Sequence, residues 1–489
     1  MEMNRVCNKH TNLENTKFDA VFVGAGATTA AALRSVAKYR LRNVLILDAG
    51  SESEIRPPEL TVSRDANPGK KSWFGSFVPY ESASFDVDFQ LDQVFAQPSR
   101  YFGGFSRVWG GTVNFYEGLQ STSNELAILP MDIELVNELL HPALTTFEDI
   151  SNSPGKIVGS ASSAHVFRKL TSFTQNRWKV EPSKLAINTI GGISSCELLG
   201  SCIQGCSVNS IWFAGKSILE LQRRFNFRIA SGILTQSVGE VDSEPFVESK
   251  CSDCGELFRV KSSKVFVAAG PIATGMILLN SGIRNELEIA DTSTAFGVAF
   301  SPKWSKHGSG HNLSQFWVTD SLKQNISVQV YPPSRVFAEK IAERLPSLGV
   351  FRLLALFASH FVHPVIFYSN SSVSDKLKIR NEGGTARISG RISNVNKQSF
   401  LKEISNLSKF LARGRLFVPR ALIEITPPGT GYHSGASIPQ GTITDHLGRL
   451  QNFPNVHFLD SSVLPRIELG SITPTVMANS ARIIRLIYS

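Results

Sequence analysis

The run from Phe18 to Asp48 most constrains what this chain can fold into. FDAVFV is a short continuous apolar run, GAGATT a glycine turn, AAALRSVAKYR a helical stretch, and NVLILD a second apolar run that ends on an acid. Strand, helix and strand within about 30 residues make a parallel βαβ unit, and such a turn is where these units receive a dinucleotide. Gly24 allows the tight turn, Gly26 lets backbone N–H groups approach a pyrophosphate, and the helix N-terminus adds partial positive charge. Asp48 is placed to accept hydrogen bonds from ribose hydroxyls. Thr29 stands where Gly or Ala is usual, so the helix is expected to sit slightly further from its strand.

The rest of the chain shows no tandem repeat and no low-complexity linker. Residues 225–268 read as β-rich: FRIASGIL, VGEVDS, a polar turn at Cys251 to Gly255, ELFRVKSS and the apolar strand KVFVAAG. A helix follows from about Ala273 to Asn280. Strand-like stretches (QNISVQVYPP, RLFVPRALIEIT) and a helix near residues 398–412 mark the segment 286–454. VHFLDSSVLP reads as a strand entering a loop, and ITPTVMANSARIIRLI as a helix with Thr473 at the N-cap and Pro474 in the first turn.

Hydrophobic residues make up 42% and charged residues 19% of the 489, enough apolar material for a large folded core. The net charge of +9 is spread thinly, the densest groups being the dipeptides Lys70-Lys71 and Arg223-Arg224. A scattered pattern favours an anionic small molecule or a membrane surface over nucleic acid, which wants a concentrated basic stripe. The first twenty residues are polar and lack the apolar core of an export signal, so a cytoplasmic protein with reduced thiols is expected.

Three more segments carry chemistry. RYFGGFSRVWGGTVNFYEG holds Gly103, Gly104, Ser106, Trp109, Gly110 and Gly111. GPIATGMILLNSGI holds Gly270, Thr274, Ser281 and Gly282. The C-terminal block contains GYHSGASIPQG, then the Asp460-Ser461 turn and the final helix. In this order they resemble the glucose-methanol-choline (GMC) family of flavin oxidoreductases, with Gly275 and Arg284 departing from the second signature.

That resemblance implies an α/β chain with a discontinuous, Rossmann-like FAD-binding domain (18–115, 190–285 and 455–489) and an inserted α+β substrate domain (116–189 and 286–454). It implies cofactor contacts at Gly24, Gly26, Thr29, Asp48, Gly103, Gly104, Ser106, Gly110, Gly270, Asp460, Ser461 and Thr475. Val108 occupies the place where pyranose oxidase carries a flavin-linking histidine, so the FAD is expected to be noncovalent. Oxidising a CH–OH group needs a base for the hydroxyl proton while hydride leaves the carbon, and His433 in GYHSGAS is the candidate. Ser471 falls where the family has a second His or an Asn; it can hydrogen-bond a substrate hydroxyl but not act as a base, and Thr473 is the alternative positioning group. The opening of the final helix, at Pro474-Thr475, would stabilise negative charge on reduced flavin. A dehydrogenase is expected rather than an oxidase, with the electron acceptor unassigned. The alternatives are a flavin-dependent lyase or isomerase without net redox change, and a non-catalytic scaffold.

Five of the six cysteines lie between Cys196 and Cys254. Cys196, Cys202 and Cys206 follow a C-x5-C-x3-C spacing, and three thiolates would suffice for a three-iron cluster, whereas zinc would want a fourth ligand. Buried thiols are the preferred reading, and Cys251 to Gly255 reads as a hairpin turn. Bacterial relatives of the family with a cysteine-rich segment here are choline-dehydrogenase-like flavoproteins associated with polysaccharide synthesis, which implies a sugar or sugar-linked alcohol. The apolar run Leu345 to Ser369 is read as the core of the substrate domain in preference to a helix lying peripherally at a membrane.

Overall fold

The structure is a computed structural model. It describes residues 12–39, 41, 43–50, 89–96, 98–107, 109–114, 124–148, 153–173, 177–192, 194–200, 202, 206, 208–307, 310–334, 356–383 and 385–489.

A five-stranded sheet forms its base, in the order Val456–Phe458, Val265–Val267, Ala20–Val23, Val44–Asp48 and Arg228–Ser231. All four pairings are parallel. Four of these strands are buried at every residue, as a parallel sheet covered on both faces requires, which is why they read as unbroken apolar runs. Alternation divides their side chains. Ala20, Phe22, Val44, Ile46 and Phe266 pack with Leu33, Ile218 and Ile483 from the helices Ala27–Val36, Ala214–Phe225 and Thr473–Tyr488. Val21, Val23, Leu45, Leu47, Val265 and Val267 face the helix Pro271–Asn280 and the antiparallel strands Ile233–Val241, Glu244–Cys251 and Leu257–Lys261. Small residues let the C-terminal helix settle on the first one, where Ser480 donates to the Thr28 carbonyl at 3.0 Å and Ser35 to that of Ala481 at 3.2 Å.

The β-rich region has the expected turn at Cys251–Gly255, but FRIASGIL is two strands, Arg228–Ser231 in the parallel sheet and Ile233–Val241 in the hairpin layer. Gly232, at φ +70°, makes the break.

A six-stranded antiparallel sheet stands over this base, ordered Glu424–Ile425, Thr294–Phe300, Val362–Ser369, Ile326–Val330, Phe316–Asp320 and Trp178–Pro182. One face, with Ala295, Val318, Val328 and Phe367, packs on the helices Ala161–Thr171 and Asn394–Arg413. RLFVPRALIEIT, expected to be a strand, pairs mainly at its last residues, Glu424–Ile425. The apolar run at 345–369 is described from Leu356 onward. There it ends in the strand Val362–Ser369, buried at every residue, so this part is core and not an interfacial helix. Among the described residues no helix is long and apolar enough to cross a membrane.

Candidate active site

The glycine turn leaves the first strand with Gly24 at φ +93°, and a Cβ there would meet the Ala268 carbonyl oxygen at 2.6 Å. Gly26 is different: it caps the first helix at φ −82°, and no heavy atom of the described residues lies within 4 Å of where its Cβ would stand. The first glycine is required by the fold, whereas the second leaves open space at a helix N-terminus. Thr29 is fully buried and donates to the Gly24 carbonyl at 2.6 Å, tightening the turn. Asp48 accepts from Ala25 N at 2.6 Å through one oxygen and from Gly50 N at 2.8 Å through the other.

The second glycine loop comes to this turn. Gly103 and Gly104 adopt φ +99° and +58°, and a Cβ on Gly104 would lie 3.5 Å from the Gly26 Cα. Ser106 fastens the loop from behind, donating to the Gly103 carbonyl and accepting from Ala214 N at 2.9 Å at the start of the helix Ala214–Phe225. Trp109 donates to the Trp212 carbonyl at 2.8 Å, and half-buried Gly110 follows it. Val108 lies outside the described residues.

Asp460 joins the third and fourth segments. Its carboxylate accepts from Gly270 N at 3.0 Å, from Thr274 Oγ1 at 2.5 Å and from Ser462 N at 2.9 Å. Burial pushes its pKa up, and these three donors oppose that shift. Gly270, at φ +86°, caps the helix Pro271–Asn280. Ser461 donates to the Ser434 carbonyl at 2.7 Å, so the turn grips the residue next to His433.

His433 lies beneath the antiparallel sheet. The Tyr368 ring stacks on it at 5.2 Å and 22°, and Trp317 stacks on Tyr368 at 6.4 Å and 16°. Cross-strand register puts Ser327 beside Tyr368 and Gln329 beside Trp317, on the face opposite the helix-packed core. Tyr331 donates to the Gln329 side-chain oxygen at 2.7 Å. His433 Nδ1, Trp317 Nε1 and Ser327 Oγ are buried with no hydrogen-bond partner among the described residues. His433 is half-buried as a whole residue, and the surrounding protein pulls the pKa of its imidazole down to about 4, which favours the neutral form near pH 7. Its backbone is pinned, the carbonyl accepting from Thr292 N at 3.2 Å, while Asp291 accepts from Gly429 N at 2.7 Å in the preceding loop.

Gly470 closes the site on the far side, its Cβ position 3.2 Å from the Trp317 ring. Half-buried Ser471 follows, then the helix Thr473–Tyr488 with Thr475 buried in its first turn. The N-cap is Ile472 and not Thr473. It supplies no side-chain hydrogen bond, so no side chain competes from that position for the first N–H groups.

Trp317, Ser327, Gln329, Tyr331 and Tyr368 are absent from the sequence reading. The available signal was alternation in FWVTD, ISVQV and VHPVIFYS; with every position of these strands buried, it does not tell which face meets a site.

Buried thiols remain the preferred reading of Cys196, Cys202 and Cys206, and the cluster alternative gains no support: among the described residues no group of three His, Cys, Asp or Glu is placed to hold a metal ion. These thiols pack against Ile187, Ile211 and Leu313. Burial pushes the Cys202 thiol up to about 12 and raises that of Cys196. Cys206 lies 3.0 Å from Ser210 Oγ.

No family model and no curated protein matches the chain. The fold is similar to the crystal structure of pyridoxine 4-oxidase from Mesorbium loti, with TM-score 0.61 and 14% identity over 96% of this chain and 99% of that one. At this identity the likeness concerns architecture: an α/β chain with a Rossmann-like parallel-sheet domain and an antiparallel-sheet domain covering it.

Proposed function

We propose that the chain is a GMC-like FAD oxidoreductase that oxidises a CH–OH group of a small molecule, with His433 as the base. The observation that carries this reading is the neutral His433 imidazole, whose buried Nδ1 has no partner among the described residues. A group that must accept a proton has to be unprotonated beforehand, and burial favours that form here.

The residues present fit the cofactor. Gly26 and Gly104 leave room where a side chain would block a pyrophosphate, and the first helix directs its N-terminus there. In this reading Gly24, Gly26, Thr29, Asp48, Gly103, Gly104, Ser106 and Gly110 hold the nucleotide half. Gly270, Asp460, Ser461 and Thr475 shape the remainder, with Thr29, Ser106, Asp460 and Ser461 acting through the backbone they brace. Segments 18–115, 190–285 and 455–489 form the cofactor domain; 116–189 and 286–454 hold the substrate. FAD, held without a covalent link, would supply the hydride acceptor. His433 takes the hydroxyl proton, so the alcohol leaves as a carbonyl. Ser471 orients the hydroxyl, and the uncapped N–H groups of the final helix stabilise negative charge as it develops. A fold neighbour whose name states oxidation of pyridoxine supports the reaction class. We take the enzyme to be a dehydrogenase.

Anaerobic absorption spectra test the reading. Protein loaded with FAD should bleach on adding an alcohol substrate, and acid precipitation should release the flavin. Colourless protein that takes up no added FAD would refute the proposal.

A further inference from the structure

The site-facing side of the antiparallel sheet does not end at the site. Running outward from Tyr368 and its partner Thr294, the next three cross-strand pairs on that face are Ile366–Phe296, Pro364–Val298 and Val362–Phe300. All are apolar. The strip of three pairs spans about 14 Å at ~3.4 Å per residue. Its inner row is closed, with Ile366 at 8% and Val362 at 5% exposure, while Phe296 and Phe300 on the outer strand stand 44% and 36% exposed. Phe417, bridged to Phe300 through paired backbone hydrogen bonds of 2.8 Å, extends the apolar surface at 52% exposure.

Large exposed phenyl rings in a row are costly to leave in water and mark a surface that receives something apolar. Here continuity identifies the occupant, because the strip ends on the ring that stacks on His433. We infer that the substrate is an alcohol carrying an extended apolar chain, its CH–OH head at His433 and its chain laid along the strip from Ile366–Phe296 to Val362–Phe300. The inference rests on the alcohol-oxidation reading and narrows it. None of the six side chains is polar, and the polar neighbours, Gln329 beside Ile366 and Glu424 beside Phe296, flank only the first pair.

Dissolved n-alkanols from butanol to decanol provide the test, with two readouts. One is anaerobic bleaching of FAD-loaded protein; the other is saturable change in tryptophan fluorescence, which needs no turnover. Affinity and kcat/KM should both rise roughly two- to fourfold per added methylene. Phe296→Ser combined with Phe300→Ser should flatten that slope, and Leu257→Ser, an exposed leucine in the hairpin layer, should keep it. If the double variant melts early, Phe296→Ser alone carries the comparison. Bleaching that is indifferent to chain length, or faster with a free sugar than with decanol, overturns the inference while leaving alcohol oxidation intact. A wild-type dimer that the double variant splits without changing the slope also overturns it, the strip then being the seat of a second copy. Chain-length-dependent binding without bleaching would uphold the strip and sink the oxidation reading.

Discussion

Tyr368 covers His433, ring over ring at 5.2 Å, although the tyrosine lies on the strand Val362–Ser369 and the histidine in the loop that enters Ser434–Gly435, a short strand of another sheet. The tyrosine adds to the burial that keeps the imidazole neutral. His433→Gln should lower the rate of alcohol-dependent flavin reduction by about 10²–10⁴-fold while leaving the bound flavin spectrum in place. In the wild type, kcat/KM should be flat near neutrality and lost as pH falls through about 4, where the imidazole takes up a proton. A pH–rate profile with the break near pH 6.5 would contradict this assignment.

Gly24 and Gly26 should separate folding from cofactor binding. Gly24→Val forces a Cβ into the Ala268 carbonyl at an unfavourable φ and should melt the protein early or prevent its accumulation. Gly26→Val should cost about 1 kcal/mol or less of stability yet abolish FAD uptake. Melting curves and flavin fluorescence after gel filtration distinguish the two.

Removing the Asp460 carboxylate strands three buried donors, those of Gly270, Thr274 and Ser462. Asp460→Ala should destabilise by about 3 kcal/mol or more, measured by denaturant unfolding. Asp460→Asn should cost less, because burial already disfavours the charged form.

Buried histidines give stability a defined dependence on pH. His363 and His457 are held down to about 4 and His311 to about 3, in each case chiefly by burial. The unfolded chain binds protons near pH 6.5 and the folded one does not, so their contribution is complete above that value and declines as pH falls towards 4 and 3. Asp291 works in the other sense, pushed up to about 7 by burial: its contribution is complete below the ordinary carboxylate value and is lost as pH rises through 7. Asp291→Asn should therefore gain on the wild type at pH 8 and lose that gain near pH 4. Denaturation midpoints across this range test both signs.

Cys196→Ser and Cys202→Ser should leave the visible spectrum and the iron content unchanged, because both thiols pack against the apolar side chains of Ile187, Ile211 and Leu313. Iron content by elemental analysis checks this.

Much of the fold was legible because its signals are local. The βαβ unit at Phe18 to Asp48, the turn at Cys251–Gly255 and the final helix each declare themselves through periodicity, glycine or a turn within one short stretch. The final helix also shows the limit: Thr473 has the right chemistry for an N-cap, yet the hydrogen bonding, with Val476 N donating to the Ile472 carbonyl at 3.0 Å, puts the cap one residue earlier. The cysteine spacing was equally local, but whether thiols become ligands depends on burial and direction, which the spacing does not carry.

By itself, then, the sequence determined the βαβ strands and the glycine turns and offered His433 as a candidate, since those follow from neighbours along the chain. Only the tertiary structure decided what surrounds that histidine. Tyr368 and Trp317 come from strands that flank Ile326–Val330 on its two sides in antiparallel register, and Gly470 reaches Trp317 from the far end of the chain. Strand alternation separates two faces but names neither; packing of Val318, Val328 and Phe367 on the helices turned one face inward, and the other was left for the site and the apolar strip beside it.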